Sequence, residues 1–528
     1  MRLEKVAVLG GGPGGLYAAR LLKRSHPDAD VVVYEQGSPD TTFGFGVGLA
    51  SRTQRNLRAA DSSSLDDIVA SAHGHEMSMR IGADVARISH GELLAIARTT
   101  LLSVLQRHAE EAGVRLCFGE RRSVDELDAD LIVAADGVNS ATRTALADTI
   151  EPDIRTGTGL YLWCGTDFAL PSAVFTPVTT EHGTFVAHAY PYAPDRSTFL
   201  IETDERTWTR AGFDLTTEQT PAAESDHESL AYLEQAFGDT LQGHRLIGNR
   251  TRWLRFRTVT CRRWHAGNVV LLGDAAHTAH YSIGSGTKLA MEDAIALDQA
   301  VTDADSIEAA LADYENRRRA DVERLQAIAA RSERWWDRFA ERLGLPVDQL
   351  MINYMTRAGK VPLERFAASA PEVAKRGLAD YAGTVPDAVP DAGLLEWVLD
   401  QPLERPERAY PGRLAPVAVR EDPSTVVVEV EVEVDSAWSA AADAVVAGLP
   451  QSGLVRLTGP SARSEVLTRL DLAERVTWRS KATVVVDVPA EYRADAAAAL
   501  AAGRTHLVDL TAATGAEGSP RERDSALS

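Results

Sequence analysis

The sequence predicts an α/β fold in three parts: a Rossmann-like nucleotide-binding domain, a β-sheet inserted into it, and a small α/β unit at the C-terminus. Three observations carry this. Strand-like and helix-like segments alternate up to about residue 380. Three glycine-containing signatures recur in a fixed order, and a proline-studded stretch sets residues 424–511 apart from everything before it.

The first signature, Gly10-Gly11-Gly12-Pro13-Gly14-Gly15, follows the apolar run Val6-Ala7-Val8-Leu9 and opens the helix-like Leu16 to Lys23. That is the strand, glycine turn and helix that a dinucleotide fingerprint requires. Gly10 permits the tight turn, Gly12 lets backbone approach a pyrophosphate, and Gly14 and Gly15 complete the turn, Gly15 allowing helix to pack on strand. The diphosphate then rests on the helix N-terminus. Glu35 ends the run Val31-Val32-Val33-Tyr34, where a ribose-binding acid belongs, and favours FAD or NAD over NADP. A glycine turn that binds nothing is the competing reading, and strand, helix and acid in register argue against it.

The second signature, Ala135-Asp136-Gly137, closes the strand-like Asp130 to Ala135 and precedes Ser140 and Arg143. The third, Leu272-Gly273-Asp274, closes Val269 to Leu272; after it Gly284, Ser285 and Gly286 open a helix running through Lys288 and Asp293. Backbone N–H groups at that helix start could stabilise negative charge on a reduced flavin. Taken in order, the three point to bound FAD. A second fingerprint is absent, since neither Gly157-Thr158-Gly159 nor Gly284-Ser285-Gly286 has its third glycine. NADH or NADPH is therefore expected as a transient visitor.

The 528 residues allow two or three domains. A net charge of -21 argues against nucleic acid as a partner. No apolar run reaches the length of a membrane span, and the N-terminus enters the glycine turn with no signal-peptide character. Cys117, Cys164 and Cys261 are odd in number and far apart, which predicts reduced thiols in a cytoplasmic protein, with no disulfide framework and no metal site.

Residues 150–260 are rich in aromatic and β-branched runs and read as the inserted, substrate-binding sheet. Ser306 to about Arg342 reads as a long helix, and 383–423, with seven prolines from Pro386 to Pro423, as an extended linker. Residues 424–511 alternate strand and helix patterns, and the polar tail 512–528 is expected to be disordered.

Beyond these patterns, four segments resemble the class A flavoprotein monooxygenases, single-component FAD-dependent aromatic hydroxylases of the glutathione-reductase-type fold. They are Phe43 to Val47, Tyr161 to Thr166, His182 to Tyr192 and Gly273 to Asp293. The similarity covers residues 1–380 and lies with the branch that includes salicylyl-CoA 5-hydroxylase and the monooxygenase half of 2-aminobenzoyl-CoA monooxygenase/reductase. It implies a reduced flavin that captures dioxygen as a hydroperoxide, passing one oxygen to an electron-rich ring while the other leaves as water. It further implies that Asp136 and Gly137 meet the FAD pyrophosphate and the passing nicotinamide, that Gly273 and Asp274 meet the ribityl chain, that Gly46 and Val47 lie against the isoalloxazine, and that Arg98 reaches the phosphates. Tyr281 stands where many relatives have proline, an aromatic shared by the thioester branch.

His188, Tyr190, His280 and Tyr281 are the candidates for catalytic contact with the substrate, with Tyr192 beside them, as polar rings able to hydrogen-bond a phenol or amine. The plainer reading is that most are satisfied core or sheet residues. His277 is expected to bond within the flavin loop. Arg250, Arg252, Arg255, Arg257, Arg262 and Arg263 are either a solvated face or a receiver for the phosphates of an acyl carrier arm.

The leading expectation is an NAD(P)H-dependent hydroxylase of a small aromatic acid held as a CoA or carrier-protein thioester, working as a monomer or homodimer. The alternatives are hydroxylation of a free aromatic such as tryptophan, indole or kynurenine, and a non-hydroxylating reductase or binding module. The C-terminal unit carries no chemical motif. Its end, Ala501 to Leu510, resembles the end of the reductase barrel found in fused relatives, but about ninety residues cannot close eight strands.

Overall fold

The computed structural model describes residues 1–39, 42, 44–284, 286–431, 434 and 436–512; Phe43, Ser285 and the tail beyond 512 lie outside the described residues. The chain forms two compact units, 1–340 and 341–528.

The first unit is built on a six-stranded sheet whose order from one edge is His265–Ala266, Val269–Leu271, Leu131–Ala134, Lys5–Leu9, Asp30–Glu35 and Arg115–Phe118. All neighbours are parallel except the first pair. Val6, Val8, Val31, Val33, Leu131, Val133, Val270 and Leu271 are buried, as strands covered on both faces must be. Register does the functional work here. Leu9, Ala134 and Leu271 stand side by side at the C-terminal strand ends, so the three signatures, far apart in sequence, leave the sheet at one edge. That edge is where open α/β sheets bind their ligands.

A nine-stranded sheet makes the second layer. It is not confined to 150–260 as expected: Gly46–Leu49, His73–Ile81 and Asp84–Ala97 also belong to it. The join is Met77 to Met79 pairing in parallel with Ala173 to Phe175. The insert is thus assembled from two stretches of chain, the earlier of which carries scattered charged residues and glycine that mask its strand character. One face, with Leu160, Leu162, Cys164, Phe185, Phe199 and Ile201, packs on Phe213, Leu230, Leu233 and Phe237. Side chains alternate along a strand, so Tyr161, Trp163, His188, Tyr190 and Glu202 share the opposite, polar face. The expected long helix is Ile307–Asp337, with the Ser306 side chain accepting from Ala309 N–H at its start.

The second unit holds four parallel strands in sequence order, Val426–Glu429, Leu454–Thr458, Thr483–Pro489 and Leu507–Thr511. It differs from expectation in two respects. The division falls after residue 340, not near 380, so the helices Val347–Thr356 and Pro371–Ala382 belong to this unit. The stretch 383–423 is not an extended linker: it contains the helix Leu394–Asp400, the hairpin Leu403–Arg405 with Arg408–Tyr410, and the short helix Val417–Arg420. Tyr410, Ala415 and Val419 from this stretch cluster with Val485 and Leu507. A parallel sheet needs cover on both faces, and the proline-rich stretch supplies one of them. Its prolines begin helical turns at Pro386 and cap one at Pro416.

Candidate active site

The glycine turn is shaped by contacts that admit no side chain at Gly10 or Gly15. Gly10 has φ +104°, and a Cβ on Gly15 would run into the Gly10 carbonyl. Gly14 lies close enough to Leu272 and Ala290 that a Cβ would meet them at 2.7 and 2.9 Å. Gly12 is different: a Cβ there meets nothing within 4 Å. Gly12 is also the N-cap of the helix Pro13–Ser25 and supplies no side-chain cap, which leaves N–H groups at the helix start open to an anion. Glu35 is fixed by two backbone donors, Gly11 N–H to Oε2 and Gly37 N–H to Oε1, both 2.7 Å. Each carboxylate oxygen keeps a lone pair for a ribose hydroxyl.

The second and third signatures are tied together by Arg143, a residue whose role the sequence did not reveal. Its guanidinium donates to the Ala275 carbonyl at 2.8 Å, the Asp274 carbonyl at 3.3 Å and the Val138 carbonyl at 2.6 Å. Asp136 accepts from Ser140 Oγ at 2.6 Å and Thr142 N–H at 3.0 Å, which braces the turn through Gly137. Behind Gly273 lies a buried ionic group: Asp293 accepts from Gly273 N–H at 3.1 Å and Arg318 Nε at 2.8 Å, with His277 Nε2 2.8 Å from its other side. Burial pushes the Asp293 carboxyl up, but His277 and Arg318 hold it below the usual carboxylate range. His277 therefore faces Asp293 of the helix Gly286–Asp303, outside the loop within which it was expected to bond. Asp274 exposes its side chain to solvent, yet enough protein surrounds it that burial raises its carboxyl pKa. That combination places it on the wall of a cleft.

Gly46 is clamped by the sheet: its N–H donates to Thr198 Oγ1 at 2.9 Å and its carbonyl accepts from Tyr190 Oη at 2.8 Å. Val47 beside it is buried. The Tyr190 hydroxyl is thereby committed to the loop, and burial pushes its pKa up to about 12. Tyr192 packs on Gly46, where a Cβ would meet its ring at 2.8 Å. Arg98 lies at the same loop, with its Nε buried and without a hydrogen-bond partner. Burial lowers its pKa, opposed by the charge of Asp274. A cradle that a side chain would fill, an uncapped helix start, an unpaired buried guanidinium nitrogen and a carboxylate in a cleft are together a fit for FAD, whose diphosphate is an anion and whose ribityl chain is polyhydroxylic. Gly284, at φ +61°, closes the turn Tyr281–Ile283, and Gly286 begins the helix Gly286–Asp303.

The remaining candidates meet on the polar face of the large sheet. Tyr281 touches Tyr161 and Trp163 edge-on, with centroids 4.9 and 5.9 Å away, and His280 lies 4.0 Å from its ring. His280 Nδ1 is 2.9 Å from Ser282 Oγ. His188 packs on Trp336 at 3.9 Å, and its Nε2 stands 3.2 Å from Glu202 Oε2. Glu202 is the residue the sequence reading missed. It is buried, and its Oε1 has no hydrogen-bond partner. Burial raises its carboxyl, but the neighbouring His188 and His280 keep it below the ordinary range. Two more carboxyls arrive from the long helix. Glu333 and Asp337 occupy the space that Gly157 and Gly159 leave bare; burial and then the charge of Asp337 push Glu333 up to about 8, and burial pushes Asp337 up to about 6.

The arginine stretch is mostly engaged within the protein. Arg255 pairs with Glu205 at 2.8 Å, Arg262 with Glu151 at 2.7 Å, Arg252 donates to the Thr217 carbonyl at 2.6 Å, and Arg257 to Asn139 at 2.5 Å. Four of the six candidates for an acyl-arm phosphate site are thus tied to their own sheet and its flanking segments.

The FAD binding domain family matches residues 119–329, and the NAD(P)-binding Rossmann-like domain family matches residues 8–40. The chain is 43% identical over 363 residues to a salicyloyl-CoA 5-hydroxylase from a Streptomyces species, covering 67% of this chain and 70% of that protein. It is 39% identical over 360 residues to a 3-hydroxy-4-methyl-anthranilyl-[aryl-carrier protein] 5-monooxygenase from Streptosporangium sibiricum, covering 68% of this chain and 95% of that protein. The crystal structure of a variant of 2-methyl-3-hydroxypyridine-5-carboxylic acid oxygenase superposes with a TM-score of 0.52 at 21% identity, covering 71% of this chain and 97% of that one, which is a likeness of fold.

Proposed function

This chain belongs to the FAD-dependent aromatic monooxygenases, and we propose on that premise that it hydroxylates an electron-rich aromatic acid carried as a CoA or carrier-protein thioester. One observation carries the substrate class: the two relatives at 43% and 39% identity are named for aromatic acids held as thioesters. A salicylyl- or aminobenzoyl-like ring fits that class, because a hydroxyl or amine donates electrons to the carbon that is oxidised.

The Gly10 to Gly15 turn would hold the diphosphate on the helix start, Glu35 the ribose, Arg98 the phosphates and Asp274 the ribityl hydroxyls. FAD, reduced by NADH or NADPH and exposed to dioxygen, supplies the electrophilic oxygen atom. The protein's part is to hold the ring beside the Gly46 loop and to keep water away. Trp163, Tyr161 and Leu200 offer apolar surface on the sheet face that also carries His188, Tyr190 and Glu202. Tyr190 acts at one remove: with its proton given to the Gly46 carbonyl, it positions the loop.

An acyl arm adds remote binding energy that can orient the ring, so removing it should lower turnover as well as affinity. The test is product formed per NAD(P)H oxidised for salicylyl-CoA, 2-aminobenzoyl-CoA, the two free acids, tryptophan and kynurenine. Coupled hydroxylation of a thioester supports the reading. A free acid or amino acid ahead by tenfold, about 1.4 kcal/mol of transition-state preference, replaces it with the free-aromatic alternative.

A further inference from the structure

The strand Pro152–Thr166 has an interrupted partner along one edge, formed by Leu246–Ile247 and then Trp253–Cys261. Ile247 stands opposite Gly165 and Trp253 opposite Leu162, so six steps of one chain run beside three of the other and three residues are surplus. Such an excursion bends chain out of the ladder and re-aims its side chains. This one is braced from behind. A Cβ on Gly248 would meet Ser225 Oγ at 2.5 Å, the Thr251 N–H donates to that same oxygen at 3.1 Å, and the Thr251 carbonyl accepts from the Asp226 N–H at 2.8 Å. Arg250, at the apex, has φ +53°, a left-handed conformation that a residue with a side chain keeps only where its surroundings impose it.

Two side chains of the excursion reach two different walls of the site. Thr251 is buried; its Oγ1 accepts from the Asn249 N–H at 3.0 Å and donates to the Trp163 carbonyl at 2.7 Å. Asn249 Nδ2 donates to the Thr42 carbonyl at 3.1 Å and the Gly44 carbonyl at 3.2 Å. An amide nitrogen has two hydrogens, so both bonds form at once, and because a carbonyl only accepts, the two partners also fix which way the amide points. Trp163 belongs to the sheet face that carries the aromatic candidates, and Gly44 leads into the loop at Gly46. One braced turn thus holds both.

We propose that Asn249 and Thr251 form a strut that sets the separation between the sheet at Trp163 and the loop leading to Gly46, and with it how far the bound ring lies from the flavin. This rests on the aromatic-hydroxylase reading above, in which those two walls hold the ring and the cofactor. Asn249 and Thr251 are positioning residues: their hydrogen bonds go to backbone carbonyls of the walls. The strut governs the fate of oxygen. One NAD(P)H, one proton and one dioxygen yield either a hydroxylated ring and water or, where the ring is out of reach, hydrogen peroxide and an unchanged ring. A misplacement of about 1 Å can cost a hundredfold in the productive step, whereas the peroxide route needs no alignment. The share of product against peroxide therefore reads the separation directly.

The experiment uses the FAD-loaded full-length enzyme and whichever of salicylyl-CoA, 2-aminobenzoyl-CoA, the two free acids, tryptophan and kynurenine the wild type couples best. It measures product and hydrogen peroxide per NAD(P)H oxidised, the change in the flavin spectrum when the aromatic is added, and the FAD affinity of stripped protein. Asn249→Ala and Thr251→Val should lower product per NAD(P)H by about tenfold or more, with peroxide making up the difference and the aromatic-induced spectrum altered, while FAD binds as tightly as in wild type. Asn249→Gln keeps the amide but lengthens the strut by a methylene and should fail like the alanine variant; Thr251→Ser keeps the hydroxyl and should couple like wild type. Because both residues serve one strut, the double variant should be no less coupled than the worse single one. Variants that melt earlier yet couple normally would mark the turn as merely structural and overturn the proposal. So would a well-coupled Asn249→Gln, an uncoupled Thr251→Ser, or a loss of FAD that matches the loss of coupling. A free acid or amino acid as the best-coupled substrate removes the thioester reading and leaves the strut to be judged on that compound. If no aromatic gives product or shifts the flavin spectrum, the hydroxylase reading falls and the strut with it.

Discussion

Substituting Gly12 by valine should separate cofactor binding from folding. The position has φ -74° and ψ 175°, an extended conformation open to any residue, and a Cβ there meets nothing within 4 Å. The apoprotein should therefore keep its stability to within about 0.5 kcal/mol, as a substitution without buried contacts does. A diphosphate held on this helix start, as proposed, would need that space. Charge-assisted hydrogen bonds are worth about 1.5–3 kcal/mol each, so displacing the phosphates enough to lose one or two removes about 3 kcal/mol, a weakening of roughly 150-fold. Gly15→Val is the contrast, since its side chain would meet the Gly10 carbonyl and should cost the apoprotein several degrees of melting temperature. The assay is calorimetric melting of both variants stripped of flavin, followed by FAD titration through quenching of its fluorescence. A Gly12→Val protein that binds FAD as tightly as wild type would refute the reasoning, and so would one that melts as early as Gly15→Val.

Arg98→Leu should weaken FAD binding tenfold or more without lowering the apoprotein's melting temperature, because the guanidinium Nε is buried without a protein hydrogen-bond partner; a large drop in apo stability would mean that Arg98 serves the fold. Glu333, pushed up to about 8 from an ordinary 4.5, binds its proton more tightly folded than unfolded, so it makes stability fall as pH rises from about 4.5 to 8. Glu333→Gln should accordingly melt higher than wild type at pH 8 and level with it near pH 4.5, measured by scanning calorimetry across that range. Asp61 behaves in the opposite sense: burial would raise its carboxyl, but hydrogen bonds from Arg20, Ser64 and Ser63 hold it at about 2 against an ordinary 3.8. Its stabilisation is complete above the ordinary value and disappears as pH falls through the folded one, so Asp61→Asn should melt lower at neutral pH and lose part of the acid-induced decline between about pH 4 and 2; an unchanged acid limb would count against the pair.

The cofactor half of the site was legible because each signature is local: strand, glycine turn and helix sit within a few residues, and parallel register alone brings Leu9, Ala134 and Leu271 level. The ring-facing half was legible only in part. Tyr190 and Tyr281 stood out as polar rings, but what the Tyr190 hydroxyl does depends on Gly46, distant in sequence. Glu202 lies in the run Phe199 to Thr203, which reads as an ordinary strand, and nothing local marks its carboxyl as buried. Gly157 and Gly159 were read as a failed fingerprint when their bareness makes room for Glu333 and Asp337 on a helix about 175 residues later. The proline-rich stretch misled for a related reason: proline content reports that a chain avoids regular hydrogen bonding, not that it avoids burial, and Tyr410 and Val419 are buried.

That stretch has a consequence for how the C-terminal unit comes into being. The cover is synthesised before the sheet it closes, so Tyr410 and Val419 leave the ribosome with no partner until Val485 and then Leu507 follow them. The last strand is the final piece to arrive, and the Arg413 and Ala415 backbones bond to both sides of Val508, at 2.9 Å each. Ending the chain before Leu507 would strand an apolar cover on an unfinished sheet, a substrate for chaperones and proteases, while starting at 424 would deliver a sheet with one face bare.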